Sequence, residues 1–69
     1  VSMSDLTVFT VGTRNPDGYY AEFMTSPDEK TVDDYINVMQ DTVSKEWEIV
    51  KHVKNYQCVS TTPQIITRK

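Results

Sequence analysis

The chain has 69 residues, with seven Lys and Arg against ten Asp and Glu, one histidine and one cysteine. That length makes a single domain near the lower limit for a self-sufficient core, and no apolar run approaches the roughly 20 residues that would span a bilayer. The lone Cys58 excludes an intrachain disulfide, which fits a reducing compartment and predicts a soluble, cytoplasmic protein of the producing or a host cell.

Val1 and Ser2, ahead of Met3, read as a cloning remnant, with Met3 the expected native start and no charged, apolar leader behind it. Nine valines, four isoleucines and nine threonines stand against one leucine and one alanine. β-Branched residues favour pleated sheet and lose rotamer freedom in helices, so a sheet must carry much of the chain.

The stretch Arg14-Asn15-Pro16-Asp17-Gly18-Tyr19-Tyr20 divides two alternating runs. Asn15 suits the first turn position, Pro16 pre-sets φ at the second, and Gly18 can take the left-handed conformation after Asp17. These residues predict a type I turn closed by a glycine bulge, with three loop residues. Asn15 then faces Tyr19, and Val11 faces Phe23. Phe9, Val11, Tyr19, Ala21 and Phe23 share one face, expected to be core. The other face pairs Thr10 with Met24, Gly12 with Glu22 and Arg14 with Tyr20, a mixed surface open to solvent.

Ser26-Pro27-Asp28-Glu29 carries a candidate N-cap serine followed by proline and an acid three residues on, with Thr31 as a second candidate start. Val32, Tyr35, Ile36, Met39 and Val43 recur at spacings of three and four, a helix with one apolar stripe. Its intrinsic propensity is poor, so it must be held by packing on the hairpin. From Lys45 two readings compete. WEIVKHV is read as a third strand rather than a continued helix, because an isolated hairpin is marginal. Residues 57–62 extend that strand or form a fourth. Pro63 ends the run, leaving 63–69 as a loose tail. The fold class is therefore α+β: one small domain over residues 1–69, a three- to four-stranded antiparallel sheet with one amphipathic helix on one face, in β-β-α-β order.

Charge is polarised. Asp28, Glu29, Asp33, Asp34, Asp41, Glu46 and Glu48 face only Lys30 and Lys45 in the middle of the chain, whereas residues 51–69 hold Lys51, Lys54, Arg68 and Lys69 without an acid. Catalytic chemistry has little to stand on. His52 and Cys58 are six residues apart, which fits no zinc spacing, and a Cys/His nucleophile would need an orienting group and an oxyanion site that no motif announces. Asp33 and Asp34 point to different sides of a helix. With only Gly12 and Gly18 there is no phosphate loop, so no cofactor, metal or enzymatic activity is expected.

Two binding functions remain. One is a small acidic regulator or inhibitor that binds a larger protein with a basic surface, through Arg14, Tyr20, Glu22 and Met24 on the ribbon's outer face and the acids Asp33, Asp34 and Asp41 on the helix. It would be a monomer, or a weak homodimer through a sheet edge. The alternative is single-stranded nucleic acid on the outer hairpin face and basic tail, which a pI near 4.8 disfavours. The strand-strand-helix-strand order resembles that of several small bacteriophage proteins that inhibit host polymerases or defence systems. That likeness is one of topology, carries no residue roles, and implies a viral regulator.

Overall fold

Residues 7–55 and 60–68 are described by the structure, a computed structural model. Thr7–Arg14 (β1), Tyr20–Ser26 (β2), Glu29–Thr42 (α1), Glu48–Asn55 (β3) and Ser60–Ile66 (β4) follow in chain order. The strands form one antiparallel sheet in the order β2-β1-β3-β4, with α1 on one face. The architecture is the α+β one expected, with four strands. Val1, Ser2, Met3 and Cys58 lie outside the described residues.

The turn forms as its residues dictate. Gly18 N–H donates to the Asn15 carbonyl at 2.9 Å, Asn15 N–H donates to the Tyr19 carbonyl at 3.0 Å, and Gly18 sits at φ 91°. The Asn15 side chain accepts from the Tyr19 N–H at 2.9 Å. From this turn Arg14 pairs with Tyr20, Thr13 with Ala21 and Gly12 with Glu22. Beyond Gly12 the expected register fails, because a bulge lets Val11 pair with Met24 and Thr10 with Thr25. Phe23 is the extra residue. Met24 therefore packs against the core instead of lying on the outer face, and Phe23 is 49 % exposed instead of central.

Asp28, not Ser26, caps α1. Its carboxylate accepts from the Lys30 N–H at 3.3 Å and from the Thr31 hydroxyl at 2.8 Å, while Ser26 still pairs with Phe9 at the end of β2. An acid at this position also suits the positive end of the helix. The stripe lands as its spacing requires: Val32, Ile36 and Met39 are buried with Val11 and Ile49, and Phe9, Met24, Tyr35, Val43 and Ile66 pack around them.

Residues 63–68 of the expected loose tail are instead structured. β4 runs through Pro63, which lies opposite His52 on an edge strand, where a missing N–H is tolerated. After it the Arg68 guanidinium donates to the carbonyls of Val43 at 2.9 Å, Ser44 at 3.0 Å and Trp47 at 2.6 Å. Gln40 closes the contact, donating to the Thr67 carbonyl and accepting from Arg68. The last turn of α1 has no basic residue of its own, and Arg68 places a cation at its negative end by bonding the C-cap carbonyl of Val43 and the loop behind it.

One charged side chain lies between the layers. Lys51, opposite Val11 on β3, is almost fully buried on the helix side and donates to Glu29 and Asp33, each at 2.8 Å. Its ammonium also lies 5.6 Å from the Phe9 ring centre. Burial by itself would lower the lysine pKa, but the bonds and charges of Asp33 and Glu29 outweigh it and hold the group above its ordinary 10.5. A raised folded pKa means that this stabilisation is complete below the ordinary lysine value and is lost as pH rises through the folded one. Tyr20, whose phenol is also pushed up by burial and by Glu22, contributes an alkaline loss of the same sign. Melting temperature should therefore fall steeply at alkaline pH in the parent and less steeply in Lys51→Met, the difference isolating the lysine. Glu29→Ala with Asp33→Ala, which strands the buried ammonium, should cost roughly 3 kcal/mol or more. Lys51→Met should cost less, because both carboxylates are half exposed and return to water.

Candidate protein-docking groove

The face of the sheet opposite α1 has no second layer among the described residues. Alternation along each strand places Arg14 and Gly12 of β1, Tyr20 and Glu22 of β2, and Glu48, Val50, His52 and Lys54 of β3 on this side, with Thr61, Pro63 and Ile65 of β4 beyond them. All of these except Gly12 and Glu48 line an open groove of about 570 Å³.

One wall is built by side chains of β2 that reach across β1 to β3. The Tyr20 hydroxyl lies 3.3 Å from His52 Nδ1, with the two rings edge to face and their centres 5.3 Å apart. Glu22 bridges to Lys54 at 3.3 Å. Arg14 bridges to Glu48 at 2.8 Å at the hairpin end. Gly12 makes this crossing possible. A Cβ there would collide with the Ala21 carbonyl oxygen and lie 2.8 Å from the Tyr20 hydroxyl and 2.9 Å from Glu22 Cα. The absent side chain brings β2 close and leaves room for the tyrosine. Thr10, beside it, is fully buried and shares a 3.1 Å hydrogen bond with Thr25. The other wall is Pro63 and the half-exposed Ile65, over a floor of Val50.

Of the residues the sequence singles out, Arg14, Tyr20 and Glu22 meet in this groove. Met24 does not, because the bulge turns it to the core. The helix acids are dispersed in role: Asp33 is bound to Lys51, Asp34 pairs with Lys30 at 3.0 Å, and Asp41 is exposed near the far end of α1. His52, Val50, Lys54 and Ile65 are the groove residues that sequence reading missed as a site. For Val50 and His52 the alternation in WEIVKHV was the available signal, once that run was read as a strand, and Lys54 continues it, whereas Ile65 lies in the stretch expected to be a loose tail. Among the described residues no three His, Cys, Asp or Glu side chains cluster to hold a metal. No helix among them is long and apolar enough to cross a membrane.

Compared with protein-family models, curated proteins and solved structures, the chain has no significant match in any of the three.

Gly12→Ala should destabilise by about 1–3 kcal/mol, since backbone as well as Tyr20 must move to admit the methyl group. Tyr20→Phe, which keeps the ring and removes only the hydroxyl, should cost no more than about 1.5 kcal/mol. Chemical denaturation of both variants checks the ranking. If Gly12→Ala unfolds at the parent's midpoint, the close crossing of β1 by β2 is wrong.

Proposed function

We propose that this chain is a non-enzymatic protein-interaction module, a small regulator or inhibitor that binds a larger protein across the open sheet face. The observation that carries the proposal is a groove with an apolar edge, Pro63 and the half-exposed Ile65, over an already buried Val50, whose charged groups are neutralised in pairs within the same face. A surface of that kind gains from covering apolar area and loses little by desolvating isolated charge. Tyr20 and Arg14 supply residue types enriched where interface energy concentrates. Its titratable groups are engaged with one another, as ion pairs and as the Tyr20–His52 contact, which suits recognition better than proton transfer.

The charge pattern favours a protein over nucleic acid. Phosphate binding needs cations that can exchange their counterions for the backbone. Here Arg14 faces Glu48, Lys54 faces Glu22, Lys51 is buried between two acids, and Arg68 is spent on the carbonyls of Val43, Ser44 and Trp47 that follow α1. The same pairing moves weight from the acidic helix to the sheet, because Asp33 and Asp34 are compensated in place. The residual net charge of −3 still favours a partner with a basic surface, through faster encounter. Edge pairing is the weaker mode, since a bulge interrupts β2 and Pro63 interrupts β4.

Ile65→Lys should melt like the parent yet lose the protein that the parent captures, whereas Asp34→Lys with Asp41→Lys should reduce capture only modestly and mainly at low salt. A mixed single-stranded oligonucleotide should bind weakly, with a shallow salt slope. Loss of capture in the aspartate pair alone would transfer the function to the helix. Tight oligonucleotide binding that disappears in Lys54→Glu would replace the protein reading with the nucleic-acid one.

A further inference from the structure

The open groove runs along β3, and its width and bonding state restrict what can fill it. We propose that it takes a single amphipathic α-helix of the partner protein, basic along its flanks and laid along β3, an inference that rests on the docking role given to this face.

Val50, His52 and Lys54 of β3 run down the middle of the groove. On one side stand Tyr20 and Glu22, whose side chains cross β1 to reach His52 and Lys54, and on the other Pro63 and Ile65 of β4. β1 and β4 are the two neighbours of β3, so the walls stand about two strand spacings apart, roughly 10 Å. One helix, roughly 10–12 Å across with its side chains, matches that width. A flat second sheet would ride on the walls without reaching between them. Glu48–Asn55 gives β3 a length of about 25 Å, enough to follow three to four helical turns with apolar residues at spacings of three and four against Ile65, Pro63 and the Tyr20 ring.

Bonding state separates a helix from an extended peptide. An extended segment brings a backbone N–H and C=O at every residue, and each needs a partner once covered. The groove's polar side chains are engaged with one another: Arg14 with Glu48, Lys54 with Glu22, and the Tyr20 hydroxyl with His52. The sheet edges are poor templates as well, because the bulge interrupts β2 and Pro63 lacks an N–H on β4. A helix satisfies its own backbone within each turn and asks the groove only for side-chain contact. Charge then selects its flanks. Glu22 is the outward member of its pair, its side chain 45 % exposed against 29 % for Lys54, and the Glu48 side chain is 47 % exposed. Carboxylates that open can accept a second cation, and the chain's net charge of −3 favours the approach of lysine or arginine.

The probes are two labelled peptides of about four helical turns, identical in leucine and lysine content, one with leucine at helical spacing and one with leucine at alternate positions. A third replaces lysine by glutamate in the helical pattern. Each is titrated into the full chain, with anisotropy reporting binding and circular dichroism reporting helix formation. The helical leucine–lysine peptide should bind at least tenfold more tightly than either other peptide and gain helicity on binding. Ile65→Lys should weaken it about tenfold. Val38→Lys, the same charge change on the exposed face of α1, should leave it within twofold and so exclude general attraction to an acidic protein. Equal or tighter binding of the alternating peptide would replace the helix by a strand, and equal binding of the glutamate peptide would remove the basic flanks. Equal effects of Ile65→Lys and Val38→Lys would overturn the proposal. So would failure of all three peptides to bind while Ile65→Lys still abolishes protein capture, with the docking role of the face left standing. Protein capture that survives Ile65→Lys would remove that docking role itself.

Discussion

One extra residue in β2 determines what each face of the sheet carries. Up to Gly12 the hairpin pairs in the register that its turn dictates, and past Gly12 the bulge at Phe23 displaces β2 by one position. Because side chains alternate with a period of two, that single insertion exchanges faces for every later residue of the strand. Met24 enters the core beneath α1, Phe23 is left at the border beside Trp47, and Tyr20 and Glu22 remain on the open side. A cleft beside Trp47 depends on this irregularity for its Phe23 ring, whereas the groove wall of Tyr20 and Glu22 lies ahead of the bulge and keeps the register set by the turn.

The sheet's second constraint is electrostatic. A chain this small has little apolar area with which to hold a helix of weak intrinsic propensity, and its core contains few large side chains: Val11, Val32, Ile36, Met39 and Ile49. Lys51 supplements them by joining Glu29 and Asp33 on successive turns of α1 to the middle of β3. Arg68 holds the other end of the helix through three backbone carbonyls. The helix is thus tied at both ends by cations from the second half of the chain. The polarity between an acidic middle and a basic end is therefore in part an internal complementarity, with Lys51 joined to Glu29 and Asp33. What remains outward is the amphipathic groove, and this is why the functional reading rests on shape and apolar exposure rather than on a charged patch.

Local chemistry made several elements legible in the sequence alone. Asn15, Pro16, Asp17 and Gly18 define their turn by backbone preference, which acts over four residues and needs no distant contact. The stripe Val32, Tyr35, Ile36, Met39 and Val43 marks a helix and its buried side, and WEIVKHV marks a strand, because periodicity is a local property with a global consequence. Arg14, Tyr20 and Glu22 could be placed on one surface for the same reason, being close to the turn that sets their register. Other features depended on pairings that no local rule contains. The bulge reflects how Val11 and Met24 fit the core. β4 runs through Pro63 because that strand is an edge, and the cap of α1 falls to Asp28 because Ser26 is held in β2. The partners of Lys51, Lys54 and Arg68 lie 18 to 32 positions away along the chain, and only the folded sheet and helix bring those groups within bonding distance.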